Sequence, residues 1–414
     1  MQDFNPEQSL CLVRREFGEH GGVTPSLSRS STFTVMDPAY MPEIFQGIRG
    51  PEKNGCFLYS RHFNPTNAVL GRYLSAVEGT ESAQGTASGM SAISCTLLQL
   101  CRQGDHIVAS DAIYGGTHAL LDEMLPQMGI STTFTDPADM RAVSGAVNSR
   151  TKVLYVETMG NPTLKIADIP RLAALAKEKN ITLVVDNTFC PMLVSPARLG
   201  ADVVVYSLTK FINGASDLVA GAICASKDFI YRLKDLHTGR VMLLGPTLDP
   251  RTAFDIIQRL PHLAVRMREH SRRAMVIAGH LEQLGVKVGY PGLASHPQHA
   301  LFNRILNQGY GYGGIFTVDC GDRSGAEQFM RVLQNDEKFG YIAVSLGYFD
   351  TLMSCSGSST SSEIPPEDQD KMGLSPGLVR FSIGLTGALE DRLRQIEKAV
   401  RACGLTSTSG GRKS

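Results

Sequence analysis

The sequence predicts an α/β chain in which a parallel sheet is wrapped by helices, with a smaller α/β unit after it and an extended arm before it. Three observations carry that expectation. From about residue 66, the short β-branched runs HIVAS, TKVLYVET, ITLVVDN and ADVVVYS alternate with helical segments at the spacing that βα units require. At 414 residues the chain exceeds the usual single-core limit, so one larger and one smaller domain are expected. The first 65 residues are rich in Gly, Pro and Ser and lack periodicity, which marks an arm rather than a core.

Taken in chain order, the arm spans residues 1–65, the larger domain 66–262 and the smaller domain 263–414. The four apolar runs of the larger domain are continuous rather than alternating, as strands buried on both faces are. Residues 254–284 read as a long helical region, broken near Pro261, that bridges to the second domain. Beyond it GIFTVDC, YIAVSL and GLVRFSIGL predict a smaller sheet, and Leu389 to Ala402 a closing helix. Between these lies SCSGSSTSSEIPPEDQDKMGLSPG, a polar loop of a length that marks either function or disorder. No internal repeat is present.

Composition excludes several classes of partner. Lys plus Arg and Asp plus Glu each number 40, so neither a nucleic acid nor a membrane surface is expected, and small molecules or further copies of the chain are. Nine scattered cysteines without a CxxC pair point to reduced thiols in a cytoplasm-like compartment, not to a disulfide framework or a metal site. No apolar run is long enough to span a bilayer, and the first residues lack the apolar core of a signal peptide.

Three features could meet at one edge of the parallel sheet, where such sheets bind ligands. TASGMSAIS places small residues before a helix expected to start near Ser91; its free N–H groups suit a phosphate, or are simply capped. LVVDNTF puts Asp186 at the end of an apolar strand, either as a turn or capping residue or as a carboxylate that keeps a pyridine nitrogen protonated. DVVVYSLTK then runs a buried strand into Lys210, where a charged amine is costly unless paired or neutralised. A neutral lysine amine can form a Schiff base. Cradle, aspartate and lysine in this order describe pyridoxal 5'-phosphate (PLP).

With those motifs in place the chain resembles the Cys/Met-metabolism group of fold-type I PLP enzymes, from YSRHFNPT to GLVRFSIG. Within that group EFGEHGG, ASGMSAIS, YGGTHALL, LLGPT and SLGYFDTLMSCSGSSTSSE are most similar to methionine γ-lyases of the plant type. The resemblance implies a mostly parallel seven-stranded sheet in the larger domain. It further implies that Ser88, Gly89, Met90, Ser207 and Thr209 hold the phosphate, and that Tyr114 stacks on the ring and moves protons. Tyr59 and Arg61 would reach the same phosphate from a neighbouring subunit, in a homotetramer built of active dimers. Arg380 would clamp the substrate carboxylate, and Ser345 would assist beside Lys210.

The activity implied is α,γ-elimination of L-methionine to 2-oxobutyrate, ammonia and methanethiol. Cystathionine γ-lyases tend to carry acidic residues where this chain has Leu58 and Val344, so a substrate with a distal ammonium would lack a partner here. Gly116 stands where bacterial methionine γ-lyases often have cysteine, as it does in O-acetylhomoserine sulfhydrylases and plant-type lyases. A γ-replacement enzyme of the sulfhydrylase or cystathionine γ-synthase type is therefore the alternative.

Overall fold

The computed structural model describes residues 4–46, 48–50, 56–61, 63–355 and 374–406. Seven strands form the larger sheet: β1 (Ser82–Thr86), β2 (His106–Ser110), β3 (Ser131–Thr135), β4 (Thr151–Glu157), β5 (Thr182–Asp186), β6 (Val203–Ser207) and β7 (Gly221–Ala225). Their spatial order is β1-β7-β6-β5-β4-β2-β3. Only β7 runs against its neighbours; the other adjacent pairs are parallel. The four runs singled out in the sequence become β2, β4, β5 and β6, which lie side by side. Val184, Val185, Val204 and Val205 are wholly buried, because helices cover both faces of this sheet. Each such side chain contributes about 1.5–3 kcal/mol of hydrophobic stabilisation.

The register sets the site. Glu157 of β4 lies opposite Asp186 of β5, and Asp186 lies opposite Val205 of β6. The carboxyl ends of three parallel strands thus finish at one level, and each is followed by a loop on the same edge.

The smaller sheet contains β8 (Val288–Gly289), β9 (Ile315–Asp319), β10 (Tyr341–Ile342), β11 (Leu352–Cys355) and β12 (Leu378–Ser382), in the order β10-β11-β12-β9-β8. YIAVSL forms a strand only over its first two residues. The helical bridge breaks where Pro261 cannot donate a backbone hydrogen bond: a helix over Pro250–Arg259 gives way to a 3-10 turn, and a second helix runs over Leu263–Gln283. A last helix covers Leu389–Ala402. In the arm, the short helix Pro6–Val13 inserts Leu10 into the main core. Most of the polar stretch before β12, residues 356–373, lies outside the described residues.

Among the described residues, no helix is long and apolar enough to cross a membrane, and no group of His, Cys, Asp and Glu side chains could hold a metal ion. All nine cysteines are free thiols.

Candidate active site

A cavity of about 230 Å³ opens at the carboxyl edge of the larger sheet. Lys210, Asp186, Tyr114, Ser88, Gly89, Met90, Ser207, Thr209 and Arg380 all line it. Lys210 lies in the turn that follows β6, and its Nζ donates to Ser345 Oγ at 3.0 Å. Burial, and secondly the charge of Arg380, pushes the Lys210 amine down to about 8. An amine so placed is partly neutral at physiological pH and can act as a nucleophile or base.

Two features of the backbone shape the turn. Gly347 has φ +76°, and a side chain there would meet Phe211 N at 2.4 Å and Lys210 C at 2.7 Å. From the other side, Arg266 of the helix Leu263–Gln283 donates to the carbonyls of Phe211 and, at 2.8 Å, Ile212. The lysine is thus held between the smaller domain's loop and the bridging helix.

The helix after β1 starts at Gly89, two residues before the expected start, because Ser88 is its N-cap. Ser88 Oγ accepts from Ser91 N at 3.0 Å, and Ser91 Oγ accepts from Ser88 N at 2.9 Å. This capping box occupies the Ser88 hydroxyl, while the first-turn N–H groups of Gly89 and Met90 have no intrahelical partner. A side chain at position 89 would meet Ser207 Cβ at 2.8 Å, so only glycine lets the helix start approach the end of β6. Thr209 Oγ1 accepts from Ala220 N at 3.0 Å and donates to Ala220 O at 3.2 Å, which closes the loop between β6 and β7 beside this cradle.

Asp186 is buried, with Oδ1 accepting from Thr188 N at 2.9 Å. Burial raises its carboxyl above the usual aspartate range, with hydrogen bonds from Thr188 opposing. Arg380, on β12, is 2% exposed. Its Nη1 donates to Asn161 Oδ1 at 2.8 Å and its Nη2 to Ser345 O at 3.3 Å, while Nε is buried with no partner. Among the described residues, no carboxylate lies within ion-pair distance of it. Burial pushes this guanidinium down to about 10, although Glu157 draws it back up. A buried, unpaired cation is costly and calls for an anion from outside.

The Tyr114 ring is partly exposed at the mouth of the cavity. It folds back over Gly116, where an added Cβ would lie 2.6 Å from ring atom Cε1. Tyr59 and Arg61 do not reach this cavity within the chain: the Arg61 guanidinium lies over the Tyr59 ring at 5.4 Å, and Arg61 lines a separate cleft with Asn67, Lys227 and Lys234. Leu58 is buried away from the site, whereas Val344 is exposed at its rim.

Eight lining residues were not anticipated, among them the polar Glu157, Asn161 and Thr188 and the aromatic Phe189. Glu157 had a readable signal, since it ends the apolar run TKVLYVE as Asp186 ends TLVVD. Asn161 and Phe189 lie in loops whose course no local pattern reveals.

These residues suit PLP. They offer an anion cradle at a helix start, a buried carboxyl for a ring nitrogen, a partly neutral lysine and an unpaired arginine for a second anion. The chain matches the Cys/Met metabolism PLP-dependent enzyme family over residues 11–401. It belongs to that family. A methionine γ-lyase of Arabidopsis thaliana is 53% identical over 96% of this chain and 90% of its own length. An L-methionine γ-lyase of Pseudomonas putida is 36% identical over 93% of this chain and 94% of its own.

Among solved structures of the same fold, an O-acetylhomoserine (thiol)-lyase of Campylobacter jejuni superposes with a TM-score of 0.88 at 27% identity, covering 96% of this chain and all of that one. It carries a pyridoxyl-lysine phosphate. A cystathionine γ-synthase of Xanthomonas oryzae superposes with a TM-score of 0.85 at 30% identity, over 96% of this chain and 98% of that one. The chain is accordingly a PLP-dependent enzyme of fold type I that acts on a small amino acid.

Proposed function

We propose that this Cys/Met metabolism enzyme cleaves L-methionine by α,γ-elimination, giving 2-oxobutyrate, ammonia and methanethiol. The observation that carries the reading is Arg380, a buried guanidinium without a carboxylate partner in the same cavity as Lys210. A substrate carboxylate supplies the missing anion, and a planar two-pronged donor orients it. The wall formed by Val344, Leu346, Met159 and Phe189 carries no charge, which suits an uncharged thioether and leaves a distal ammonium unpaired.

In this reading Gly89 and Met90 N–H, with Ser207 and Thr209, hold the cofactor phosphate, and Ser88 shapes that cradle. Asp186 keeps a proton on the ring nitrogen. When bound, PLP supplies an electron sink for negative charge at the substrate's Cα and Cβ. Lys210 is the residue that would carry PLP; its amine takes the Cα proton, and a second deprotonation at Cβ leaves the electron pair that expels the γ-sulfur. Ser345 Oγ holds that amine in place. Tyr114 gives a proton to the departing sulfur, so that methanethiol leaves neutral. Water completes the balance by releasing ammonia and the 2-oxo acid.

The site is completed by a second copy of the chain. Tyr59 and Arg61 lie outside their own cavity and serve the neighbour's phosphate, in a homotetramer of active dimers located in the cytoplasm. The arm 1–65 makes that exchange, beside a cofactor-binding domain 66–262 and a smaller domain 263–414.

Similarity to a thiol-lyase and a γ-synthase favours a second reading, γ-replacement, in which a thiol rather than water takes part. Incubating the holoenzyme separately with L-methionine, cystathionine, and O-acetylhomoserine with and without sulfide, and identifying products by mass, decides between them. Methanethiol and 2-oxobutyrate from methionine support elimination. Turnover of O-acetylhomoserine with sulfide, and none of methionine, replaces it with the second reading.

A further inference from the structure

The buried carboxyl of Glu157 has no place in the reaction steps above. It lines the cavity at the end of β4, beside Asp186. Each of its oxygens is used: Oε1 accepts from Tyr114 N at 2.7 Å and Oε2 accepts from Asn161 N at 3.0 Å. Asn161 in turn accepts from Arg380 Nη1 at 2.8 Å. One side chain therefore fixes the backbone that presents the tyrosine ring and, through Asn161, the guanidinium that comes from the other domain's sheet.

We propose that Glu157 is a positioning residue that sets Arg380 for the substrate carboxylate and Tyr114 for the leaving group. The inference rests on the reading of Arg380 given above. A bland alternative is that Glu157 merely satisfies two buried N–H groups. That role would need only an acceptor anywhere in the loop, whereas here the two donors are the residue whose ring stands at the cavity mouth and the residue that holds the arginine. Glutamine at position 157 keeps the volume but turns one acceptor into a donor facing a backbone N–H. At least one of the two links must then open.

The test uses the holoenzyme and two ligands that cannot be eliminated, L-norleucine and 1-aminopentane, which differ by the carboxylate alone. Binding is followed by the change in visible cofactor absorbance, with cofactor content and melting temperature measured on the same preparations. Glu157→Gln is expected to weaken L-norleucine about tenfold or more, the loss typical of a charged hydrogen bond, and to leave 1-aminopentane within about twofold. Cofactor content should be unchanged. Unaltered affinity for L-norleucine, or equal weakening of both ligands with loss of cofactor, overturns the proposal.

Should Glu157→Gln fail to fold, Asn161→Leu breaks only the second link and leaves the Asn161 N–H in place. It should show the same selective loss, and wild-type affinity for L-norleucine there overturns the proposal equally. If the unaltered enzyme binds the two ligands alike, the reading of Arg380 fails and takes this inference with it. If only Glu157→Gln keeps the wild-type preference, the positioning role alone falls.

Discussion

Lys210 and Arg380 are both cations pressed into one cavity, and each is less basic there than in water. For Lys210 the sign has a measurable result in the cofactor-free protein. Its folded pKa of about 8 lies below the ordinary 10.5, so the unfolded chain binds more protons between those values. Stability should therefore rise with pH across that window, and the full penalty should be present below about pH 8. Replacing the lysine by methionine should stabilise the cofactor-free protein at pH 7 by about 2 kcal/mol, allowing for partial exposure, and by almost nothing above pH 10.5. Thermal melts of both proteins at pH 7 and pH 10.5 check this; equal gains at both would place the effect elsewhere.

For Asp186→Ala the expected result is retained cofactor but Cα-proton exchange slowed by about a hundredfold or more, read by deuterium incorporation into L-norleucine. For Arg380→Lys it is a kcat/KM at least about tenfold lower on every amino-acid substrate, with melting temperature nearly unchanged. A destabilised Arg380→Lys protein with normal kcat/KM per bound cofactor would make the arginine structural. Asp186 and Lys210 were legible because each is a polar residue that closes or follows an apolar strand. Arg380 lies between apolar residues within a strand, and only the family resemblance marked it.

At the level of elements, the turn after β6 is gripped from two directions, and the grip depends on residues far away in sequence. Gly347→Ala tests it. The positive φ and the 2.4 Å approach to Phe211 N leave no space for a methyl group. The substitution should cost more than about 1 kcal/mol, lower the melting temperature by several degrees and weaken cofactor retention. Dialysis of the holoenzyme followed by absorbance measures the last of these; unchanged retention would show that the loop does not hold the lysine. The strands β2, β4, β5 and β6 were legible as β-branched runs buried on both faces. The edge strands β1 and β3, SAQGT and STTFT, have little apolar content, and pairing with a neighbour rather than local pattern makes them strands. YIAVSL is a strand only as far as Ile342; beyond it Val344 and Leu346 line the cavity and Ser345 Oγ accepts from Lys210, contacts that a local strand pattern does not encode.

For the whole molecule, the distance of Tyr59 and Arg61 from the cavity of their own chain makes subunit mixing the decisive experiment. Arg61→Ala and Lys210→Ala subunits should each be inactive alone, and mixed dimers should regain activity because one of their two sites is intact. With exchange verified by mass spectrometry, no recovery would sink the shared site. The two-part organisation could be read from length and from the change in pattern after residue 254. The closeness of the parts could not, because contacts such as Lys210 to Ser345 join positions 135 residues apart, which no local pattern encodes.

That separation also bears on how the protein is made. Asn161 and its arginine stand 219 residues apart, and Arg380 lies in the last strand. A ribosome completes the larger sheet with its lysine and aspartate long before the arginine emerges. In the proposed reading, a nascent chain thus has its lysine before Ser345, the Gly347 loop and the arginine exist to hold it or to put it to use. On that reading, reactivity waits until translation is nearly finished, and a late premature stop would leave a chain with Lys210 and no way to use it.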